Sequence, residues 1–350
     1  MNTAALKISP EMLRLIAEID EFKGTWRAMT TLAPERLAIL KRVATIESIG
    51  SSTRIEGAKL TDAQVEALLG RLESQAFASR DEQEVAGYAE VMDAVFDAWA
   101  SIPLTENYLK QLHATLLRHS TKNERHRGSY KITPNNVEAF DADGKSIGVV
   151  FQTASPFDTP FRMQELVAWT RESLADGAWH PLIVIGLFTV VFLEIHPFQD
   201  GNGRLSRVLT TLLLLQAGYA YVPYSSLESV IEANKEAYYL GLRRTQGTLS
   251  QEAPDFEPWL LFFLRSLKKQ KDRLAEKITR DPAGEGLHPD ALKILEAARR
   301  TGRITTGEAE KLTGAPRPTV KTRLAELVRR SLLKRQGQGR GAWYEPSLLG

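Results

Sequence analysis

The sequence predicts a mainly α-helical protein with one β-hairpin and a separate, basic C-terminal domain. Helix signals dominate the first 280 residues, and within them only the segment 134–156 has extended, β-branched runs around a turn. Proline and glycine cluster at 281–289, which is typical of a domain boundary. We therefore expect an N-terminal helical segment (1–100), a helical core (101–280) and a C-terminal domain (281–350).

Capping residues predict where several helices of the body begin. Pro10 and Pro34 each suit the first turn of a helix, and the second of these helices runs toward Glu56. Thr61 and Gln64 have the spacing of a capping box. Further helices are expected at about 81–100, 105–118, 160–175, 182–194, 204–217, 229–245 and 255–279.

The hairpin is predicted from two extended runs and a turn. Asn136–Phe140 and Ile147–Gln152 are the runs, and Asp143-Gly144 has the composition of a tight hairpin turn. An exposed hairpin edge can hold an extended target segment by strand addition. A purely structural hairpin is the alternative.

Composition places the chain among ordinary globular proteins. Apolar residues make up 43% and charged residues 25% of the 350 residues, and there is no cysteine, which excludes disulfides and fits a reducing compartment. The beginning of the sequence has no signal-peptide core. The longest apolar run, Leu182–Ile195, contains Glu194 and is shorter than the roughly 20 residues of a membrane span. We expect a cytoplasmic protein without membrane segments.

The stretch 196–204, HPFQDGNGR, concentrates the residues that could carry chemistry. It lies between two long apolar segments, so it is expected to be a loop that joins two buried helices. Gly201 and Gly203 let the backbone expose its amides. The helix predicted to begin near Arg204 directs its unpaired amides and its positive dipole end at this loop. Such an arrangement is typical of a phosphate site.

Side chains of the same stretch suit a magnesium nucleotide. Arg204 and Arg207 are one helical turn apart and suit the outer phosphates, and Asp200 is a hard oxygen ligand for Mg²⁺. His196 is the natural acceptor for a hydroxyl proton, because an unperturbed imidazole titrates near neutral pH. The alternative is a structural histidine beside an ordinary glycine turn, but a turn does not need two arginines at helical spacing.

Every position of the stretch resembles the signature of the Fic family, HPFx(D/E)GNGRxxR. The resemblance implies transfer of AMP from ATP to a Ser, Thr or Tyr hydroxyl of a protein, with His196 as the base and Asp200 as the Mg²⁺ ligand. The residues implied to contact ATP, through amides, the Asn202 side chain or the guanidinium groups, are Gly201, Asn202, Gly203, Arg204, Leu205, Ser206 and Arg207. A phosphate-transferring branch of the family has lysine at the position of Gly203, so the glycine favours nucleotide transfer.

A second motif lies far upstream, at residues 52–57. Its sequence, STRIEG, resembles the inhibitory pattern of the family, (S/T)xxxE(G/N). Ser52 and Glu56 share one helix face, and Gly57 can close the helix in a left-handed cap. The resemblance implies that Glu56 pairs with Arg207 in the place of the γ-phosphate, so that ATP binds unproductively. An ordinary surface glutamate before a cap glycine is the alternative.

The same resemblance adds two further expectations. The hairpin corresponds to the flap of the family, which would position the hydroxyl of a target protein next to His196. Tyr239 is chosen as the adenine contact, with a core aromatic residue as the alternative.

The C-terminal domain differs from the body in charge. Residues 281–350 contain 13 Lys+Arg and 8 Asp+Glu, a net charge of +5, which leaves −3 for residues 1–280. The expected order is helix 290–301, Ile304, helix 305–313, a turn at Gly314, helix 316–330 and two strand-like runs around the loop 336–341. This order looks like a winged helix-turn-helix, with Thr319, Lys321, Thr322 and Arg323 on the recognition helix. DNA binding and protein docking are both open.

Two classes of function follow from these patterns. The first is an autoinhibited AMP-transferring enzyme with ATP and a target protein as partners; self-modification and a homodimer are left open. Within this class, removal of AMP from modified targets and phosphocholine transfer are alternatives. A DNA-binding regulator that senses nucleotide is the alternative of another class. The intact His196 favours an enzyme, because a sensor needs no base beside the phosphates.

Overall fold

The computed structural model describes residues 3, 6–29, 34–72, 77–140, 146–279, 287–330, 332–337 and 339–347. Most of these residues lie in helices, so the prediction of a mainly α-helical fold is confirmed. The helices of the first 279 residues are α1 (Pro10–Ala28), α2 (Pro34–Ile55), α3 (Asp62–Leu69), α4 (Arg80–Ala98), α5 (Glu106–Leu116), α6 (Thr159–Asp176), α7 (Pro181–Ile195), α8 (Asn202–Gln216), α9 (Leu227–Glu232), α10 (Lys235–Gln246) and α11 (Glu257–Thr279).

Two compact units make up the chain. The first comprises Met1–Ala28 and Ala44–Lys271, and the second comprises Met29–Val43 and Asp272–Gly350. The second unit therefore contains the predicted C-terminal domain (281–350). It also contains residues 29–43 and 272–280, which the sequence patterns did not assign to that domain. Within this unit Arg36, at the start of α2, donates a hydrogen bond to the carbonyl of Ile278 near the end of α11 (3.0 Å).

The centre of the first unit is the helix pair α7 and α8. Every residue of α7 from Leu182 to Ile195 is buried, because its sequence is apolar on all sides. Helix α8 is buried from Arg204 to Leu215 and packs against α7. The loop 196–201 joins the two helices and is held at both ends by the core of the unit.

Local capping explains several helix boundaries. Pro10 and Pro34 stand first in α1 and α2, and Thr61 forms the predicted capping box with Gln64 at the start of α3. Helix α7 ends at His196 in the left-handed conformation (φ 53°), which no other non-glycine residue of the described ranges adopts. A strained backbone at one non-glycine position is a common property of functional residues.

The prediction of one helix over 229–245 was wrong. The structure has α9 and α10 there, separated at Asn234, whose backbone angles (φ −130°, ψ 35°) are not helical. The Asn234 side chain instead donates to the carbonyl of Val230 (2.6 Å). Asparagine competes in this way with the helical backbone, which the apolar spacing alone does not reveal.

The predicted hairpin is present as two antiparallel strands, β1 (Val137–Phe140) and β2 (Ser146–Phe151). Val137 pairs with Phe151 at the open end of the hairpin. The turn predicted at Asp143-Gly144 lies outside the described residues.

The second unit contains three further helices and a small sheet. Its elements are α12 (Pro289–Thr301), β3 (Ile304–Thr305), α13 (Thr306–Thr313), α14 (Arg317–Arg329), β4 (Leu333–Gln336) and β5 (Trp343–Pro346). The strands are antiparallel in the order β3-β5-β4. Gly314 ends α13 in the left-handed conformation, and Leu295, Leu324 and Leu327 lie in the core.

No helix within the described ranges combines the length and the apolar character needed to cross a bilayer.

Candidate functional site

A cavity of about 680 Å³ lies over the loop between α7 and α8. Its lining includes His196, the segment 199–204, Tyr239 and the end of the upstream motif at Glu56. Glu56, His196, Asp200 and Tyr239 therefore share one cavity with residues 201–204. The other residues predicted for the site do not line it: Ser52, Leu205, Ser206 and Arg207. The volume of the cavity is within the usual range for pockets that bind small molecules and cofactors.

His196 presents one free ring nitrogen. Its Nδ1 is 3.2 Å from the carbonyl oxygen of Leu193, which can only accept, so Nδ1 carries the proton and Nε2 keeps its lone pair. Burial lowers the pKa of His196 to about 4, so the ring is neutral at pH 7. A neutral imidazole with a free Nε2 can accept a proton from a hydroxyl group.

The start of α8 offers three backbone amides to a ligand. Gly201 is the N-cap in the left-handed conformation, and its own amide is bonded to the carboxylate of Asp200 (2.6 Å). The amide of Leu205 is bonded to the carbonyl of Gly201 (2.9 Å). The amides of residues 202–204 are therefore the ones left without an intrahelical partner. The helix begins at Asn202, two residues before the predicted start, and the run of amides open to a ligand is shorter than 201–206. The side chains of Leu205 and Ser206 are fully buried.

Two side chains fix the shape of the loop. Asn202 Oδ1 accepts from the amide of Phe198 (2.9 Å) and its Nδ2 donates to the carbonyl of Phe198 (2.6 Å), so both ends of the Asn202 amide are used inside the loop. The Phe198 ring stacks on the ring of His113 from α5, with centroids 3.8 Å apart. His113 Nδ1 accepts from the amide of Gly128 (3.0 Å), so its Nε2–H donates to the carbonyl of Asp200 (3.0 Å).

A buried lysine ties the open end of the hairpin to the same loop. Lys131 Nζ donates to Asn135 Oδ1 (2.8 Å), Thr153 Oγ1 (2.9 Å) and the carbonyl of Ile195 (2.9 Å). The Asn135 side-chain amide in turn donates to the carbonyls of His196 (3.1 Å) and Phe198 (2.6 Å). Burial lowers the pKa of Lys131 to about 8. These bonds hold the strand ends of the hairpin next to the candidate base.

Asp200 is ionised and surrounded by donors. Its oxygens accept from Asn123 Nδ2 (3.0 Å) and from the Gly201 amide, and Arg204 Nη2 is 3.1 Å from Oδ1. Burial alone raises the pKa of Asp200, but Arg204 and these hydrogen bonds outweigh it and lower the pKa below the usual value.

A single carboxylate of this kind suits Mg²⁺, which proteins commonly bind through one or two carboxylates while substrate phosphates complete the shell. Across the part of the chain that the structure describes, no group of three or more His, Asp or Glu side chains surrounds a common metal position. Asp200 lines the cavity, and its carboxylate fits a magnesium ion that arrives with a phosphorylated ligand.

Arg207 is buried against the upstream motif. Its Nε donates to Ser52 Oγ (2.8 Å), and its Nη2 donates to the Ser52 carbonyl (2.9 Å) and to Glu56 Oε1 (2.8 Å). The pairing of Glu56 with Arg207 is thus present in the structure. Gly203 makes it sterically feasible, because a Cβ atom at this position would clash with the Glu56 carboxylate. Arg207 Nη1 is buried and has no hydrogen-bond partner among the described residues, so it has capacity for a further acceptor.

Arg54, inside the same motif, fixes the end of α2 by hydrogen bonds to residues of other elements. Its Nε and Nη2 donate to the two carboxylate oxygens of Glu232 in α9 (2.6 and 2.9 Å). Its Nη1 donates to Asp62 Oδ1 (2.9 Å) and to the carbonyl of Leu60 (3.0 Å). A bidentate arginine pair is stronger and more directional than an ordinary surface ion pair. Arg54 therefore holds the peptide that presents Glu56.

Tyr239, chosen from the sequence as the adenine contact, lines the cavity, and so does its neighbour Tyr238. Tyr238 is buried and packs edge-on to the ring of Tyr239 (centroids 5.1 Å apart). The Tyr239 hydroxyl reaches the carbonyl of Ile55 (3.5 Å), next to Glu56. An aromatic wall of this kind can contact a nucleobase.

The sequence did not single out several residues that shape the site. They come from α4, α5, the turn before β1 and the upstream motif: Arg54, Arg80, Glu84, His113, Asn123, Lys131 and Asn135. Each acts on the loop, or on the peptide that presents Glu56, from a distant part of the chain, and no local spacing marks it. Only Arg54 had a usable signal, because it lies inside a motif that had already been recognised.

The two buried imidazoles give a prediction for acid pH. We expect neither His113 nor His196 to take up a proton between pH 8 and about pH 5, because burial lowers both pKa values to about 4. The unfolded chain binds these protons at about pH 6.5, so folding stability should decline as the pH falls from about 6.5 toward 4. NMR titration of the ring Cε1–H signals, assigned with His196→Ala and His113→Phe, measures both values. A midpoint near pH 6.5 for either ring would contradict the burial argument.

Known proteins resemble this chain in the region of the site. A Fic/DOC family model matches residues 103–214. A probable protein adenylyltransferase of Aquifex aeolicus is 35% identical over 91 residues, which are 26% of this chain and 27% of the relative. The protein adenylyltransferase Fic of Drosophila grimshawi is 26% identical over 261 residues, which are 74% of this chain and 48% of the relative. The chain thus spans about half the length of the Drosophila protein and about a quarter of the Aquifex protein.

Solved structures share the fold. A Fic family protein from Desulfovibrio desulfuricans has a TM-score of 0.62 at 24% identity, and the match covers 98% of both chains. A Fic domain containing signaling protein from Bacteroides thetaiotaomicron has a TM-score of 0.61 at 24% identity and covers 75% of this chain and 97% of that one. Residues 103–214 of the chain therefore match the Fic/DOC family, the fold is that of solved Fic proteins, and protein adenylyltransferases are among the relatives of the chain.

Proposed function

We propose that this chain is a protein adenylyltransferase, which transfers AMP from ATP to a hydroxyl group of a target protein and is inhibited by Glu56. One observation carries the proposal: a neutral histidine with a free Nε2 and a helix terminus with three unbonded amides line the same cavity. The first supplies a base and the second a phosphate site, and group transfer from a nucleotide needs both. The names of the relatives point to the same reaction.

The proposed reaction follows from these groups. His196 Nε2 accepts the proton of the target hydroxyl while the hydroxyl oxygen attacks the α-phosphorus of ATP. The bond from the α-phosphorus to the bridging oxygen breaks, pyrophosphate leaves, and AMP remains on the target as a phosphodiester. The amides of 202–204 and Arg204 stabilise the negative charge on the phosphate oxygens. Mg²⁺ held by Asp200 would supply further positive charge when bound.

Inhibition is proposed from the position of Glu56. Arg207 already donates to Ser52 and Glu56, so the group that would hold the distal phosphate is engaged by a carboxylate of the chain itself. ATP has to displace Glu56 to use Nη2 of Arg207, to which Glu56 is bonded. The hairpin is proposed to hold the target segment beside His196, since its strand ends are fixed to the loop through Lys131 and Asn135.

Labelling with two isotopomers of ATP tests the reaction. The Glu56→Gly protein is incubated with a cell lysate and ATP radiolabelled at either the α- or the γ-phosphate. Label on protein from the α-position alone supports AMP transfer, whether on other proteins or on the enzyme itself. Label from the γ-position alone would show phosphoryl transfer and contradict the proposal. Loss of label from a modified target on addition of wild-type protein would place removal of AMP in the same site.

Arg54 gives a prediction that is specific to inhibition. We expect Arg54→Ala to raise α-phosphate labelling above wild type, but less than Glu56→Gly, because it loosens the peptide that presents Glu56 and leaves the carboxylate in place. Glu232→Gln removes the partner and should act in the same direction. Arg71→Ala, which removes a surface ion pair with Glu82, is the matched control. Rates equal to wild type for both Arg54→Ala and Glu232→Gln would contradict a role of the Arg54 hydrogen bonds in inhibition.

We propose, as a second candidate function, that α12 to β5 form a winged helix-turn-helix that binds duplex DNA. The observation behind it is the outer face of α14, where Lys321, Thr322, Ala325 and Arg329 are exposed opposite the buried leucines. Lys321 and Arg329 have no ion-pair partner among the described residues, whereas Arg323 lies 3.6 Å from Glu326. Small and basic side chains on one helix face suit a major groove.

Fluorescence anisotropy with duplex DNA tests this second function. Affinity should fall steeply as salt rises, because each neutralised phosphate releases counterions. The double variant Lys321→Ala/Arg329→Ala should weaken binding and reduce the salt slope. A salt-insensitive or absent signal for the full chain would favour protein docking by this unit.

A further inference from the structure

Four side chains of alternating charge form a closed ring on the cavity wall. Arg80 Nε donates to Glu84 Oε1 (2.8 Å), and Glu84 Oε2 lies 3.0 Å from Arg204 Nη1. Arg204 Nη2 is 3.1 Å from Asp200 Oδ1, and Asp200 Oδ2 is 3.6 Å from Arg80 Nη2. All four residues line the cavity. The ring thus joins the first turn of α4 to the phosphate loop.

The two cations of the ring are held very differently. The side chain of Arg204 is 2% exposed and is gripped by two carboxylates, so its position is fixed. The side chain of Arg80 is 53% exposed, and only its bond to Glu84 is of hydrogen-bond length. Glu84 itself is buried between the two arginines. Arg80 can therefore change its second partner while Nε stays on Glu84.

The proposed function supplies a reason for that change. When Asp200 binds a magnesium ion, its carboxylate no longer attracts the Arg80 guanidinium, because the divalent cation neutralises it. The phosphates that arrive with the magnesium ion bring negative charge to the same wall of the cavity. A guanidinium fork matches phosphate oxygens in geometry as well as charge.

We propose that Arg80 is a third cation of the nucleotide site, which leaves Asp200 and binds a phosphate group of a magnesium–nucleoside triphosphate. The inference rests on the proposed nucleotide site. Arg80 lies outside the loop motif and outside the matched segment 103–214, so neither of them assigns it a role. The hydrogen bond from Arg80 Nε to Glu84 keeps the Arg80 side chain at the cavity while the guanidinium changes its second partner. Arg80 then distinguishes nucleotides with several phosphates from a nucleoside monophosphate.

Calorimetry in a background that does not turn over tests this assignment. The parent is Glu56→Gly/His196→Ala, titrated with MgATP and, separately, with AMP. We expect Arg80→Ala to weaken MgATP binding about tenfold, which corresponds to about 1.4 kcal/mol, and to change AMP binding less than about twofold. Arg80→Lys should recover part of the MgATP affinity, since it keeps the charge without the fork. Arg71→Ala, which removes an exposed arginine outside the cavity lining, should match the parent for both ligands.

The remaining outcomes separate the inference from the function on which it rests. Unchanged MgATP binding by Arg80→Ala, or equal weakening of MgATP and AMP, would overturn the role of Arg80 and leave the nucleotide site standing. Failure of the parent itself to bind MgATP would overturn the proposed function and the role of Arg80 with it. Thermal melting of each variant shows that the fold is intact, as expected for a side chain that is half exposed.

Discussion

His196→Ala is expected to abolish transfer of the α-phosphate label to protein, with a rate at least about 100-fold below that of the parent. Positioned general bases contribute roughly 10²–10⁴ to rate, and His196 is the side chain with a free, neutral ring nitrogen in the loop of the cavity. The measurement is the initial rate of labelling in the Glu56→Gly background. MgATP binding should persist, since Arg204 and the amides of 202–204 remain.

His126→Ala is the matched control, because it removes an imidazole in the turn after α5 that does not line the cavity. Its labelling rate should equal that of the parent. Labelling by His196→Ala within about tenfold of the parent would place the base on another residue and would remove the main support for the proposed chemistry.

Glu56→Gly is expected to raise the labelling rate about 10- to 100-fold over wild type. A hydrogen bond between charged groups, such as that from Arg207 to Glu56, contributes about 1.5–3 kcal/mol. Its loss lowers the free energy needed to bring a phosphate to Arg207 by about that amount. Glycine is the appropriate replacement, because Glu56 lies just past the last residue of α2 and precedes Gly57. Initial rates at saturating MgATP measure the effect.

Two comparisons make the Glu56 result specific. Glu124→Gly removes an exposed glutamate outside the cavity lining and should leave the rate unchanged. The double variant Glu56→Gly/His196→Ala should be inactive, because relief of inhibition cannot replace the base. Equal rates for wild type and Glu56→Gly would contradict the inhibitory role of Glu56 and leave the transfer reaction itself untouched.

The sequence predicted what is local along the chain. The loop 196–204 and its two helices were predictable because glycine spacing, the apolar runs on both sides and the i, i+3 arginines are all contained in about thirty consecutive residues. The hairpin and the order of elements from α12 to β5 were predictable for the same reason. The link between Glu56 and Arg207 came from a family resemblance, since no pattern of spacing connects residues 151 positions apart.

The rest of the site depends on packing between distant elements. Glu84 and Arg80 read as an ordinary i, i+4 ion pair at the start of a helix, and only the three-dimensional position of α4 brings them to Arg204. Lys131 reads as a loop lysine, yet it is buried and makes three hydrogen bonds under the hairpin. Arg204 and Arg207 were expected to point at one ligand, and packing instead pairs Arg204 with Glu84 and Asp200, and Arg207 with Glu56.

The ion-paired charges around the phosphate loop balance one another. Three are positive and three are negative: Arg80, Arg204 and Arg207, and Glu56, Glu84 and Asp200. Arg243 adds one further positive charge to the cavity lining. Beyond about one Debye length, roughly 8–10 Å at ordinary ionic strength, such a site exerts little pull on an approaching anion. Nucleotide association should therefore proceed with little electrostatic steering, at a rate that falls only slightly as salt is added. Discrimination between nucleotides would arise after first contact, when phosphate groups replace carboxylates as partners of the arginines in the cavity wall.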